Sequence, residues 1–185
     1  MSQYRIAVIV GSLRRDSINR QLADAVVRLA PQQFTFKQLQ IGDVPLYNQD
    51  DETEPIAAVK RLKNEISSAQ GVVFVTPEYN RSVPGVMKNA VDAASRPYGQ
   101  NAWAGKPAGI LSASIGPIGG AMAQQHLRNI LAYLDMPTLA QPEVFMRVTQ
   151  GFFDASGGIA APDTRKFLQS WMDRYTQWVI EYAPR

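Results

Sequence analysis

Short apolar runs alternate along the whole chain with longer segments of helical periodicity, and this order limits the available folds more than any other feature. Ile6-Ala7-Val8-Ile9-Val10 and Gly71-Val72-Val73-Phe74-Val75-Thr76 are continuous β-branched or aromatic runs, the pattern of strands buried on both faces. The pattern predicts strands over 4–10, 34–41, 71–76, 107–114 and 138–146. Between them apolar residues recur at helical spacing: Ile18 to Leu29; Ile56, Val59, Leu62 and Ile66; Val86, Ala90, Val91 and Ala94; Leu127, Ile130, Leu131 and Leu134. Parallel neighbours need long crossovers, so a repeated strand–helix order predicts an α/β fold, a doubly wound five-stranded parallel sheet with helices on both faces. A last helix carries Phe167, Leu168, Trp171, Met172, Tyr175, Trp178, Val179 and Tyr182 on one stripe, read as core packing without a ligand role. Gly151, Gly157, Gly158 and Pro162 break both periods, so 151–162 reads as a loop. With no repeat or linker in view, residues 1–185 are expected to form a single domain.

Composition narrows the function classes. Of 185 residues 45% are apolar and 19% charged, so the chain has enough apolar side chains to bury a full sheet. Lys and Arg number 19 against 16 Asp and Glu, but no basic run exceeds two residues and no basic stripe alternates with aromatics; nucleic acid is therefore not an expected partner. The absence of cysteine removes disulfides, iron–sulfur ligation, zinc thiolates and thiol nucleophiles. His126 is the only histidine, and one imidazole does not make a metal site. It reads as a satisfied or interfacial residue on a helix that follows the third loop rather than lining it. No signal peptide and no window of about 18 apolar residues is visible, so the expected location is the cytoplasm, with no membrane span.

In an open parallel sheet ligands bind beyond the carboxyl ends of the strands, where the winding reverses. The loop after the first strand is Gly11-Ser12-Leu13-Arg14-Arg15-Asp16-Ser17-Ile18-Asn19, which runs into a helix capped by Ser17 or Asn19. Free N–H groups at that helix start, hydroxyls from Ser12 and Ser17, the Asn19 amide and a charge from Arg14 or Arg15 make a cradle for a phosphate dianion. After the third strand, Thr76-Pro77-Glu78-Tyr79-Asn80-Arg81-Ser82-Val83-Pro84-Gly85 offers a ring, an amide and several backbone N–H groups between two prolines, which suits a flat heterocycle. After the fourth, Ser114, Gly116, Gly119 and Gly120 leave room for a close approach by a ligand or another backbone. Taken singly, the first loop is also an ordinary capped corner, and the second a turn with a surface tyrosine. Together, a phosphate site, a heterocycle site and no metal cluster describe FMN on a flavodoxin-like sheet. No Gly-x-Gly-x-x-Gly follows any strand, and the glycines at 99 and 105 are misspaced for a Walker loop.

Gly11-Ser12-Leu13-Arg14 with Ser17 and Asn19, and Pro77-Glu78-Tyr79-Asn80 with Ser82, Gly85, Lys88-Asn89-Ala90 and Asp92, resemble the NAD(P)H-dependent FMN reductase family, in its bacterial branch of quinone, azo and chromate reductases. The resemblance covers nearly the whole chain. It implies a flavodoxin-like sheet of order 2-1-3-4-5 and an FMN phosphate held by Ser12, Arg14, Ser17, Ile18 and Asn19. It also implies an isoalloxazine met by Pro77, Glu78, Tyr79 and Asn80, with Ser114, Gly116 and Gly119 along its other side. Tyr79 and Asn80 are then the expected catalytic residues, and Glu78 acts chiefly through its backbone, since a carboxylate facing reduced flavin would be repelled. The implied reaction is ping-pong hydride transfer from NADPH or NADH to a quinone, an azo compound, chromate or free flavin. Two other readings remain at this stage: a flavodoxin-type electron carrier, disfavoured by the net charge of +3, and a reductase that uses FMN as a diffusing substrate. Arg96-Pro97-Tyr98-Gly99-Gln100-Asn101-Ala102-Trp103 places two large aromatics in one loop. Cover for them, together with the resemblance, implies a homodimer or homotetramer. Arg128, Tyr133, Asp135 and Glu143 are candidate intersubunit groups.

Overall fold

A computed structural model describes residues 3–54 and 56–183. Its elements follow the chain as β1 (Tyr4–Val10), α1 (Ile18–Val27), β2 (Phe34–Gln38), α2 (Ala57–Ser67), β3 (Gly71–Thr76), α3 (Gly85–Ser95), β4 (Ala108–Ser114), α4 (Ala121–Tyr133), β5 (Val144–Arg147) and α5 (Pro162–Tyr182), with a 3₁₀ turn at Gln49–Glu52. The five strands form one parallel sheet in the order β2-β1-β3-β4-β5, the flavodoxin-like order. Both faces are covered, which is why the central strands read as unbroken apolar runs. Val72 and Phe74 point into the core shared with α2, α3 and α4, while Val73 and Val75 point into the one shared with α1 and α5. No helix among the described residues is long and apolar enough to cross a membrane.

The middle of the α5 stripe is core, as its spacing implies: Leu168, Trp171, Met172, Tyr175 and Val179 are buried, Trp178 is half-buried, and Phe167 and Tyr182 are exposed. The Trp171 and Tyr175 rings stack at 5.3 Å with 7° between their planes and lie flat on the sheet over Gly109. A Cβ at Gly109 would sit 2.7 Å from Tyr175 Cδ2 and 2.8 Å from Trp171 Cζ2. Gly109→Ala is therefore expected to cost about 1–3 kcal/mol through overpacking, read as a lower urea midpoint at unchanged slope; an unmoved midpoint would show that the layer yields freely.

Three expectations are corrected. The second strand ends at Gln38, not at 41: Leu39 still donates to Val8 O, but Leu39 and Ile41 then turn into the core on the α2 and α3 side. The fifth begins only at Val144; Thr138 makes one isolated bridge to Ala108, and Pro142, which has no N–H for a ladder, separates the two pieces. The third correction concerns the loop after α3. Trp103 is fully buried in its own subunit, its Nε1 donating to Val91 O at 3.0 Å and its ring 5.6 Å from Phe74, so it needs no cover. Only Tyr98, 89% exposed, remains as an uncovered aromatic there. The 151–162 segment is the expected loop, folded around Asp154, whose Oδ1 accepts from Ser156 N, Ser156 Oγ and Gly158 N at 2.6–2.9 Å.

Candidate functional site

The loops after β1, β3 and β4 meet at the carboxyl edge of the sheet. Ser17 is the N-cap of α1, accepting from Arg20 N at 3.2 Å, which settles the choice between Ser17 and Asn19. Because α1 starts at Ile18, the Ile18 and Asn19 amides have no backbone acceptor among the described residues. Arg14 and Arg15 are exposed beside them and make no ion pair among the described residues, while the Ser12 and Ser17 side chains are buried in the corner. Arg20 Nε is buried there without a partner. Free amides, hydroxyls and unpaired guanidinium groups at a helix start are the donor set that a phosphate requires.

Asn19 departs from its expected use. Its Nδ2 donates to Ala113 O and its Oδ1 accepts from Ala113 N, both at 3.0 Å, in a fully desolvated position. The last β3–β4 pair is Thr76 with Ser112, so the carboxamide takes up the ladder one residue past the end of β3. Asn19 thus offers an anion its backbone N–H, while the side chain fixes the angle of α1.

The second loop is a miniature hairpin. Tyr79 N donates to Ser82 O and Ser82 N to Tyr79 O, both at 3.0 Å, with Asn80 (φ 52°) and Arg81 (φ 63°) in the left-handed region that a two-residue turn needs. Asparagine suits that conformation; arginine is strained in it. The Tyr79 amide is therefore spent inside the turn, leaving those of Glu78 and Asn80, and the Tyr79 ring stands half exposed above them. Gly11 lets the first loop press on this one, since a Cβ there would lie 2.9 Å from Met87 Cε and 3.3 Å from Pro77 and Pro84.

The Glu78 carboxylate bridges the hairpin turn and α4, its Oε1 lying 3.6 Å from the Arg81 guanidinium. Its Oε2 accepts from Met122 N at 3.0 Å and Ala123 N at 3.2 Å, in the first turn of α4. In the third loop, Ser114 Oγ accepts from Gly116 N at 3.0 Å, and Gly119 (φ 59°) packs directly on the β5 backbone. Leu13, Tyr79, Ile115, Ile118 and Met122, all exposed, give these three loops an apolar rim over polar floors. Among the described residues no cluster of metal-ligating side chains occurs.

The sequence profile of the NADPH-dependent FMN reductases matches residues 4–150. The chain belongs to this family. It is 51% identical over 175 residues to a 2-hydroxy-1,4-benzoquinone reductase from Burkholderia sp, covering 95% of this chain and 96% of that protein. A quinone reductase from Pseudomonas putida is 50% identical, with 97% of each chain covered. Among solved structures, FerB, a flavoenzyme NAD(P)H:(acceptor) oxidoreductase from Paracoccus denitrificans, superposes with a TM-score of 0.94 at 41% identity over 98% of this chain and 100% of that one. Membership makes the protein an oxidoreductase of the quinone reductase branch.

The remaining features of this reductase follow from the same geometry. The residues present fit FMN: anion donors on the first loop, unspent amides beside a half-exposed ring on the second, and on the third Gly116, where a Cβ would meet only Ser114 Oγ at 3.4 Å. Two clefts, of about 370 and 600 Å³, lie away from these loops. Arg128 and Glu143, expected to reach another subunit, lie 3.6 Å apart within the chain, and Arg128 also donates to Leu139 O. Sequence reasoning missed the Glu78 carboxylate, the Ala113 partner of Asn19 and the contact of His126 Nδ1 with Ser82 Oγ at 2.9 Å, which brings the lone imidazole nearer the site than expected. One signal for the first was legible: Gly119-Gly120 ahead of α4 supplies no capping side chain, so a cap had to come from elsewhere.

Proposed function

We propose that the protein is a quinone reductase that retains FMN and draws its electrons from NADPH or NADH. The observation that carries this reading is the convergence of an anion cradle, a half-exposed tyrosine over unspent amides and a glycine loop at one sheet edge, in a chain half identical to two named quinone reductases. When bound, FMN accepts a hydride from NAD(P)H and passes electrons to the acceptor, so the protein need supply no nucleophile. Its own groups bind and orient. Ser12, Ser17, Arg14 and the amides of Ile18 and Asn19 hold the phosphate, and the backbone of Pro77, Glu78 and Asn80 meets the heterocycle. Tyr79 walls the site on one side, with Ser114, Gly116 and Gly119 on the other. The Glu78 carboxylate is turned to α4, so its charge is set against helix amides rather than beside a ring that gains charge on reduction. The open, apolar rim suits flat acceptors, which extends the reading from quinones to azo compounds, chromate and free flavin, taken one after the other with NAD(P)H at the same face. Tyr98 and Tyr133, 89% and 85% exposed on the 600 Å³ cleft where α3 and α4 end, support a homodimer or homotetramer. Light scattering at micromolar concentration is expected to give a dimer or tetramer; a fully active monomer contradicts it.

The test is to desalt the purified protein and assay NADPH and NADH oxidation with benzoquinone and no added flavin. Retained yellow colour and quinone-dependent turnover support the reading. A colourless protein active only with added FMN indicates a diffusing substrate, and a yellow protein inert towards NAD(P)H indicates a carrier. Tyr79→Ala, at a half-exposed position, is expected to leave the denaturation midpoint within about 0.5 kcal/mol of wild type and to lower kcat/KM about tenfold, close to 1.4 kcal/mol. Unchanged kinetics would remove Tyr79 from the mechanism.

A further inference from the structure

Helix α4 has no cap from its own neighbourhood. Its N-cap is Gly120 at φ 90°, without a side chain; Ala121 N donates to Ile118 O at 3.1 Å, but Met122 N and Ala123 N need acceptors from elsewhere in the chain. Glu78 supplies them from a position 44 and 45 residues away, one carboxylate oxygen taking both Met122 N and Ala123 N. The carboxylate also sets a negative charge at the positive end of the helix dipole; its side chain is 10% exposed, with the bond to Ala123 N half-buried and the bond to Met122 N at the surface. At the far end of the hairpin, Ser82 Oγ meets His126 Nδ1. The hairpin is thus tied to α4 on both sides of the strained Asn80-Arg81 turn, and α4 is the direct continuation of the glycine loop.

We propose that Glu78 is a positioning residue: by capping α4 across the gap it fixes the hairpin and the glycine loop at one separation and keeps the slot between them formed before FMN arrives. The proposal rests on the reading that these loops hold FMN. Without the clamp, two segments must be ordered on binding, and that entropy is lost from the affinity. Glutamine can still accept from one or both amides without the charge, whereas alanine leaves both amides bare.

The experiment compares wild-type, Glu78→Gln and Glu78→Ala proteins, stripped of flavin, by hydrogen–deuterium exchange and by FMN titration followed through flavin fluorescence. Glu78→Ala is expected to speed exchange together in residues 79–82 and 121–124, with β1 and α5 unchanged, and to weaken FMN binding about tenfold; Glu78→Gln is expected to restore affinity to within about threefold. Wild-type affinity in Glu78→Ala, or faster exchange in only one of the two segments, overturns the proposal. If Glu78→Ala does not fold, Glu78→Gln decides alone: slower exchange than wild type or tighter FMN binding overturns the clamp. If the wild-type protein itself binds no FMN, the flavin reading fails and the proposal with it. That failure is told apart from failure of the clamp by the exchange comparison, in which Glu78→Ala still speeds exchange in both segments when the clamp exists.

Discussion

Gly119→Ala is expected to destabilise the protein by about 3–4 kcal/mol and to abolish FMN retention. At φ 59° a side chain costs roughly 1–2 kcal/mol, because Cβ crowds the following carbonyl. The larger part is steric. A Cβ would lie 2.6 Å from Phe145 C and 2.9 Å from both Phe145 O and Met146 N, which are backbone atoms of β5 and cannot rotate aside. The loop is also tied at this residue, since Ser112 Oγ donates to Gly119 O at 2.7 Å and accepts from Gln124 Nε2 at 2.9 Å, whose second N–H donates to Val144 O at 2.7 Å. Moving Gly119 therefore shifts the start of α4 and, through Glu78, the hairpin. Chemical denaturation and the flavin content of the desalted protein measure the two effects. A variant with wild-type midpoint and colour would mean that the loop does not pack on β5 as described. Gly116→Ala is the comparison, because a Cβ there meets only Ser114 Oγ at 3.4 Å and φ is not left-handed; a change below about 1 kcal/mol is expected.

Asn19→Leu is expected to cost about 3 kcal/mol, which in a chain of this size lowers Tm by about 6–12 °C. The substitution keeps the branching and the number of side-chain heavy atoms but strands two buried backbone groups, Ala113 N–H and C=O, each of which costs about 1–3 kcal/mol without a partner. A functional loss follows from the same bonds. The carboxamide holds the first turn of α1 against β4, so its loss lets the helix that presents the Ile18 and Asn19 amides tilt. The phosphate-bearing ligand should weaken more than its dephosphorylated analogue. Asn19→Asp separates the terms: it can still accept from Ala113 N but sets a carboxylate oxygen against Ala113 O, so it is expected to be no more stable than the leucine variant at neutral pH. A leucine variant that melts with the wild type would remove Asn19 from the packing account.

How far the site was legible depended on the range of the interaction. The strand cores and a helix cap at Ser17 or Asn19 are local, and Ile6-Val10, Gly71-Thr76 and the end of the first loop carried them in the sequence. Asn19 looked like an anion donor because its neighbours are donors; that its amide serves Ala113 is a contact over 94 residues which no spacing encodes. For Gly119 the local pattern allows either a ligand or another backbone, and the family resemblance puts it on the flavin side; the structure shows that the backbone of β5 already requires its lack of a side chain. Trp103 read as a surface aromatic because its loop is polar, and only the tertiary fold brings it beneath α3 onto Phe74. The ends of β2 and β5 were overrun because apolar residues continue past the point where the ladder stops, turning into the core or pausing at Pro142.

The central claim is that the first corner holds the phosphate of FMN while the hairpin and glycine loop hold its rings. Parallel fluorescence titrations of the flavin-free protein with FMN and with riboflavin test it most directly. FMN is expected to bind at least about a hundredfold tighter than riboflavin, equivalent to about 2.7 kcal/mol from the phosphate donors, with the difference shrinking as salt is added or Arg14 is replaced by alanine. Equal affinities for the two, or none for either, would contradict it.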